Sequence, residues 1–170
     1  MTKQLIFCVE SDSRAKTDWI YISATIRTFF DFGNETKLTP IYLSGKMNYC
    51  KQNTVNKIKE KENRFNGEST VILSVDTDSI ETDSQKKKEF ETISNYCRAN
   101  NYELIWFHRD IEDVYLGEQI TNSSKRDRAT HFARSNGISK VDRGRLNEKR
   151  DTAAHSSNIL SVLEKHLKMK

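Results

Sequence analysis

The stretch Thr70-Val71-Ile72-Leu73-Ser74-Val75-Asp76-Thr77-Asp78 decides how this chain of 170 residues is read. Val71 to Val75 is apolar except for Ser74 and shows no polar alternation. A run of that kind reads as a strand covered on both faces, as in a parallel sheet. Asp76 and Asp78 close it. A second run, Leu5-Ile6-Phe7-Cys8-Val9, lies near the start of the chain and is closed by Glu10. Open parallel sheets bind ligands outside the carboxyl ends of their strands, where these three carboxylates fall. Acids gathered at one place raise one another's pKa unless a cation relieves them. Hard oxygen ligands suit Mg2+, with Mn2+ as the alternative.

Outward from these runs, strands alternate with helical patterns. After Ser11-Asp12-Ser13-Arg14, the residues Trp19, Ile22, Ile26, Phe29 and Phe30 recur at helical spacing and predict a helix ended by Gly33-Asn34. Leu38 to Leu43 predicts a second strand. The helical pattern after it has Tyr49, Val55, Ile58 and Phe65 on its apolar face and ends at Gly67. The third strand, Thr70 to Val75, leads through Asp76–Asp83 to a helix capped by Ser84, with Phe90, Ile93 and Cys97 facing inward. Glu103 to His108 predicts a fourth strand, and Ile111, Val114, Tyr115 and Leu116 a short helix after it. This order implies an α/β fold of three layers, Rossmann-like, with a parallel sheet of about four strands and right-handed crossovers. In strand order 2-1-3-4, Glu10 and the Asp pair face one crevice.

Residues 1–120 thus read as the α/β domain, and 121–170 as a basic arm with a C-terminal helix packed on it. Thr121 to Ala154 shows no clear periodicity and is expected to be a loop or loosely helical arm that a partner orders. Ile159, Leu160, Leu163 and Leu167 recur at helical spacing. The 28 Lys and Arg against 24 Asp and Glu leave a net charge of only +4, but from Lys125 to Asp151 nine basic residues face four acids. Lys125, Arg126, Arg128 and Arg134 are the candidates for nucleic-acid binding.

Other classes are disfavoured. Cys8, Cys50 and Cys97 show no CxxC spacing, which argues against a disulfide framework or structural zinc and suits a reducing cytoplasm. The first apolar run is too short for a signal peptide, and no stretch suits a membrane span. Neither a Walker A sequence nor G-x-G-x-x-G occurs. His108 reads as a partly exposed structural histidine, His131 and His155 lack metal-ligand company, and Lys86, Lys87 and Lys88 read as a solvated helix face.

The Glu at the end of the first strand and the Asp-x-Asp at the end of the third resemble the Toprim domain of topoisomerases, primases and a group of nucleases. The resemblance covers Leu5 to about Gly117. The compact layout is similar to RloB-like and OLD-type nucleases of bacterial defence and mobile elements. In those proteins a further acid follows the fourth strand, and Glu112 lines up with it, with Asp113 a substitute. Many Toprim domains carry Gly after the Glu and after the second Asp, where this chain has Ser11 and Ser79.

The resemblance implies a Mg2+-dependent nuclease acting on DNA or RNA. In it Glu10, Asp76 and Asp78 are catalytic and bind metal, and Glu112 is a further ligand. A protein partner or homodimer is compatible with it. A non-catalytic Toprim-fold module of a defence complex is the alternative from another class. Asp76-Thr77-Asp78-Ser79 also resembles the acid pair of haloacid-dehalogenase phosphatases, with Asp76 as nucleophile. In that family the pair closes the first strand, whereas here it closes the third.

Overall fold

The computed structural model describes residues 1–170 and is an α/β fold of three layers, Rossmann-like. Four strands, β1 (Lys3–Val9), β3 (Thr36–Tyr42), β4 (Glu68–Asp76) and β5 (Glu103–Phe107), form a parallel sheet in the order β3-β1-β4-β5. Counting these four along the chain gives the expected order 2-1-3-4. The connections switch direction between β1 and β4, the place at which open α/β sheets take their ligands.

Side chains alternate across the sheet, and each face has its own core. Leu5, Phe7 and Val9 of β1, Ile72 of β4 and Ile105 and Phe107 of β5 pack with α1 (Thr17–Phe29), α4 (Ile111–Leu116), α5 (Lys125–Arg134) and α6 (Ile159–Leu163). Ile6, Cys8, Val71, Leu73 and Val75 pack on the other face against Ile58 of α2 (Gln52–Asn63) and Ile93 and Cys97 of α3 (Ser84–Ala99). This two-sided burial is why β1 and the middle of β4 carry almost no exposed residue and read as continuous apolar runs.

Several boundaries differ from the sequence reading. The first helix stops at Phe29, where Phe30 turns into extended backbone and Phe30–Asp31 (β2) pairs antiparallel with Lys168–Met169 (β6). Two residues of alternation are too few to announce a strand, so this ribbon is set by the return of the C-terminal segment. Asp83, rather than Ser84, caps α3, accepting the N–H groups of Gln85 and Lys86.

The largest difference is the segment expected to be a partner-ordered arm. Its first part is α5, which packs on α1 and buries Ala129 and Phe132. The Phe132 ring lies 4.9 Å from Tyr21 and 5.7 Å from Tyr115. Ile138 and Leu146 are buried in the same core. Gly137 makes this packing possible, since a Cβ there would stand 2.3 Å from the Phe132 ring. Further on, Ser157 pairs with Phe107 as an isolated bridge and hydrogen-bonds the Trp106 carbonyl, so the last segment is tied to β5. No helix is long and apolar enough to cross a membrane.

Candidate metal centre

Glu10 follows β1 directly and Asp76 is the last residue of β4. Because β1 and β4 are hydrogen-bonded neighbours, the Glu10 side chain reaches across and its Oε2 accepts the Asp76 backbone N–H at 2.6 Å. Asp76 in turn uses Oδ1 to accept the N–H of Ile111, the first residue of α4, at 3.0 Å. Each carboxylate thus commits one oxygen to a backbone N–H and keeps the other for a further ligand. Together the two bonds join the ends of β1 and β4 to the start of α4.

The electrostatics are those of a crowded acid site. Burial, with Asp18 and Asp78 nearby, pushes the Glu10 carboxyl up to about 7, against the pull of the Asp76 N–H and of Lys46. Burial, followed by the charges of Glu10, Asp18, Glu112 and Asp110, lifts Asp76 well above the carboxylate range. Asp18 and Glu112 are raised as well, both chiefly by burial. The charged form of each group is disfavoured until a cation or a proton arrives.

Glu112 lies in the first turn of α4 and is 1% exposed. Its Oε2 lies 3.0 Å from the Lys125 ammonium, and its Oε1 has no hydrogen-bond partner. A lysine in the first turn of a helix opposes the helix dipole. Burial also works against the Lys125 charge, but Glu112, Asp76 and Asp110 outweigh it and raise the pKa. Asp113, one residue on, faces two histidines. Its carboxylate faces His155 Nδ1 at 3.2 Å and His108 Nδ1 at 3.9 Å, and the other nitrogen of His108 contacts Glu81. His108 is buried and not partly exposed as expected, while His155 has company that the sequence did not announce.

Asp78 is brought to the same edge but is turned to other partners. It adopts a left-handed conformation, φ 56, held by its N–H to the Arg109 carbonyl at 2.9 Å. Its Oδ2 forms an ion pair with Lys46 and lies 3.9 Å from Lys86. Lys86 approaches Asp78 from the exposed face of α3 that the sequence reading expected. No three His, Cys, Asp or Glu side chains are gathered into a closed ligand set. Lysines already engage Asp78 and Glu112, and backbone N–H groups already engage Glu10 and Asp76.

Two members of the site were missed in the sequence. Asp18, in the first turn of α1, accepts the Ser11 N–H at 3.0 Å and lies within electrostatic reach of Glu10 and Asp76. Its signal was an acid in the first turn of the helix that follows Glu10. Lys46 was signalled only by its place after Ser44-Gly45, at the carboxyl end of β3.

Of the basic candidates, Lys125 lines the site, Arg126 and Arg134 are exposed on α5, and Arg128 pairs with Glu118. Glu10, Asp76, Asp18 and Glu112 offer oxygen donors of the kind a hard divalent cation takes, but no three of them are gathered into a ligand set. Comparison with known proteins gives no help with the chemistry: no family model, no curated protein and no solved structure matches this chain.

Proposed function

We propose that this chain is a divalent-cation-dependent nuclease of Toprim type that hydrolyses phosphodiester bonds in DNA or RNA at the crevice between β1 and β4. The observation that carries the reading is the bond from the Asp76 N–H to Glu10 Oε2, which joins two acids at the switch point of the sheet with Asp18 and Glu112 beside them. Mg2+ or Mn2+, when bound, supplies charge neutralisation at the phosphoryl oxygens and lowers the pKa of an attacking water.

The protein's own residues do the rest. Glu10 and Asp76 would hold the ion, with Glu112 or Asp18 as the further acid. Glu10 would also be placed to take the proton of the attacking water. Lys125 is half-buried at the rim and presents positive charge to the phosphate. Arg126 and Arg134, exposed further along α5, add phosphate contacts that carry no sequence information.

The test is incubation of the purified protein with labelled single- and double-stranded DNA and RNA, with Mg2+, with Mn2+ and with EDTA. The expected result is cleavage that needs metal and is lost in Asp76→Asn and Glu10→Gln. A folded protein that cleaves none of these substrates overturns the reading in favour of a non-catalytic module. Hydrolysis of phosphomonoesters alone overturns it in favour of a phosphatase with Asp76 as nucleophile.

A further inference from the structure

We propose that the cavity between α4, α5 and the segment after α5 binds a nucleotide that ends in a phosphate monoester, held by Arg128, His131, Lys140 and Arg145. The inference stands apart from cleavage at the carboxyl ends of β1 and β4, and none of the acids described there takes part in it.

The cavity has a volume of about 410 Å3. Small-ligand sites span roughly 300–1,000 Å3. Arg128 and His131, three residues apart on α5, share the face turned toward it. Lys140 and Arg145 line it from two short turns, Gly137–Lys140 and Arg145–Asn147. Tyr115, Leu116, Phe132 and Val141 supply its apolar lining.

The backbone that carries these cations is anchored in the core. Phe132 follows His131, Ile138 precedes Lys140 by two residues and Leu146 follows Arg145, and all three apolar side chains are buried. The Arg145 carbonyl also accepts the Ser157 N–H at 2.8 Å, which ties this turn to the segment beside β5. The side chains of His131, Lys140 and Arg145 are themselves exposed, on fixed backbone.

Their charges are not consumed by the fold. Lys125, on the same helix, neutralises the buried Glu112. Arg128 pairs with the exposed Glu118, whereas Lys140 and Arg145 pair with no carboxylate. The acid that lines the cavity, Asp142, uses Oδ1 to accept the Gly144 N–H at 2.8 Å and so closes its own turn. A surface that serves only solubility intersperses both signs. Cations brought to one cavity from three segments repel one another, and an anion relieves them.

The shape and the charge select the kind of anion. A phosphate monoester carries about −1.5 to −2 at pH 7, which matches the two unpaired cations better than the single charge of an internal diester. Guanidinium groups add paired donors that fit phosphate oxygens. A concave site takes the end of a strand or a free nucleotide, and its apolar lining gives the base or sugar a surface that inorganic phosphate leaves empty.

The experiment measures binding to the full chain in EDTA, where metal-dependent cleavage is silent. Fluorescence anisotropy compares one internally labelled single-stranded DNA oligonucleotide with a 5′-phosphate, with a 3′-phosphate and with hydroxyl groups at both ends. Adenosine and cytidine monophosphates and inorganic phosphate serve as competitors. Wild type should bind a phosphate-ended strand at least about tenfold more tightly than the hydroxyl-ended one. The double variant Lys140→Gln, Arg145→Gln should melt like wild type and lose that preference, with affinity for the hydroxyl-ended strand kept within about threefold. Competition by the monophosphates identifies a free nucleotide as a sufficient ligand, and competition by phosphate-ended strands alone identifies a strand end; either supports the proposal. No preference in the wild type, or a preference that the double variant retains, overturns it. Inorganic phosphate that competes as well as the nucleotides overturns the nucleotide assignment. Asp76→Asn should keep the preference, and its loss there would place the phosphate among the acids and overturn the proposal. A wild type that shows the preference but cleaves nothing with Mg2+ overturns the nuclease reading and leaves this inference standing.

Discussion

The carboxylate of Glu10 accepts the backbone N–H of Asp76 at 2.6 Å, joining residues that are 66 positions apart in the chain but close neighbouring strands. The bond holds Glu10 in a buried position where its charge is poorly solvated and other acids are near. The local strain of the site is therefore electrostatic, and the predictions below follow from where each charge finds a partner.

Stability should fall as pH rises in metal-free buffer. The Glu10 carboxyl sits at about 7 in the fold against an ordinary value of 4.5, so the fold favours its protonated form. That contribution is fully present below pH 4.5 and is lost as pH rises through about 7. The change is on the order of 3 kcal/mol. Asp76 and Asp18, raised in the same direction, add to it. Urea denaturation across this range should show the loss in wild type and a shallower one in Glu10→Gln. An identical slope in both proteins means that the Glu10 proton is not the source.

Asp76→Asn should stabilise the metal-free protein by about 1–2 kcal/mol at pH 8, because it removes one of several crowded charges. The amide oxygen can still accept the Ile111 N–H. Mn2+ should raise the melting temperature of the wild type and leave the variant unchanged. Equal shifts in both would locate the ion elsewhere.

Lys125→Met should be strongly destabilising above neutral pH, by about 2–4 kcal/mol, since it strands the Glu112 carboxylate where it is 1% exposed. Adding Glu112→Gln should recover most of the loss. A double-mutant cycle by chemical denaturation measures the coupling, and a coupling near zero would show that the pair does not hold α5 to α4.

Reversing charge at Arg126, Arg128 and Arg134 should leave the melting temperature within a few degrees of wild type, because these side chains lie outside the core. It should reduce the salt dependence of nucleic-acid binding, with a slope on duplex DNA smaller by about 2–3. Phe132→Ala, on the same helix, should instead cost about 3–5 kcal/mol by opening a cavity against Tyr21 and Tyr115. If the triple variant binds as tightly as wild type at every salt concentration, α5 is structural only.

The sequence by itself determined the sheet and the edge of it on which Glu10 and Asp76 fall. Strands buried on both faces must be apolar throughout, so β1 and the middle of β4 were legible as runs, and the acids closing them fell at the binding edge by the topology of any parallel sheet. Only the tertiary structure decided the partners of those acids. Asp18 comes within electrostatic reach of Glu10 and Asp76 from α1, and Lys46 reaches Asp76 and Asp78 from the loop after β3, and only weak local signals of position announced either one. The same holds for α5. With Ala129 and Phe132 as its buried residues, it shows too little periodicity to be read as a helix, and it is ordered because α1 offers Phe132 a surface on which to be buried. Periodicity records burial within one element, whereas ion pairs and sparse contacts depend on which elements the fold brings side by side.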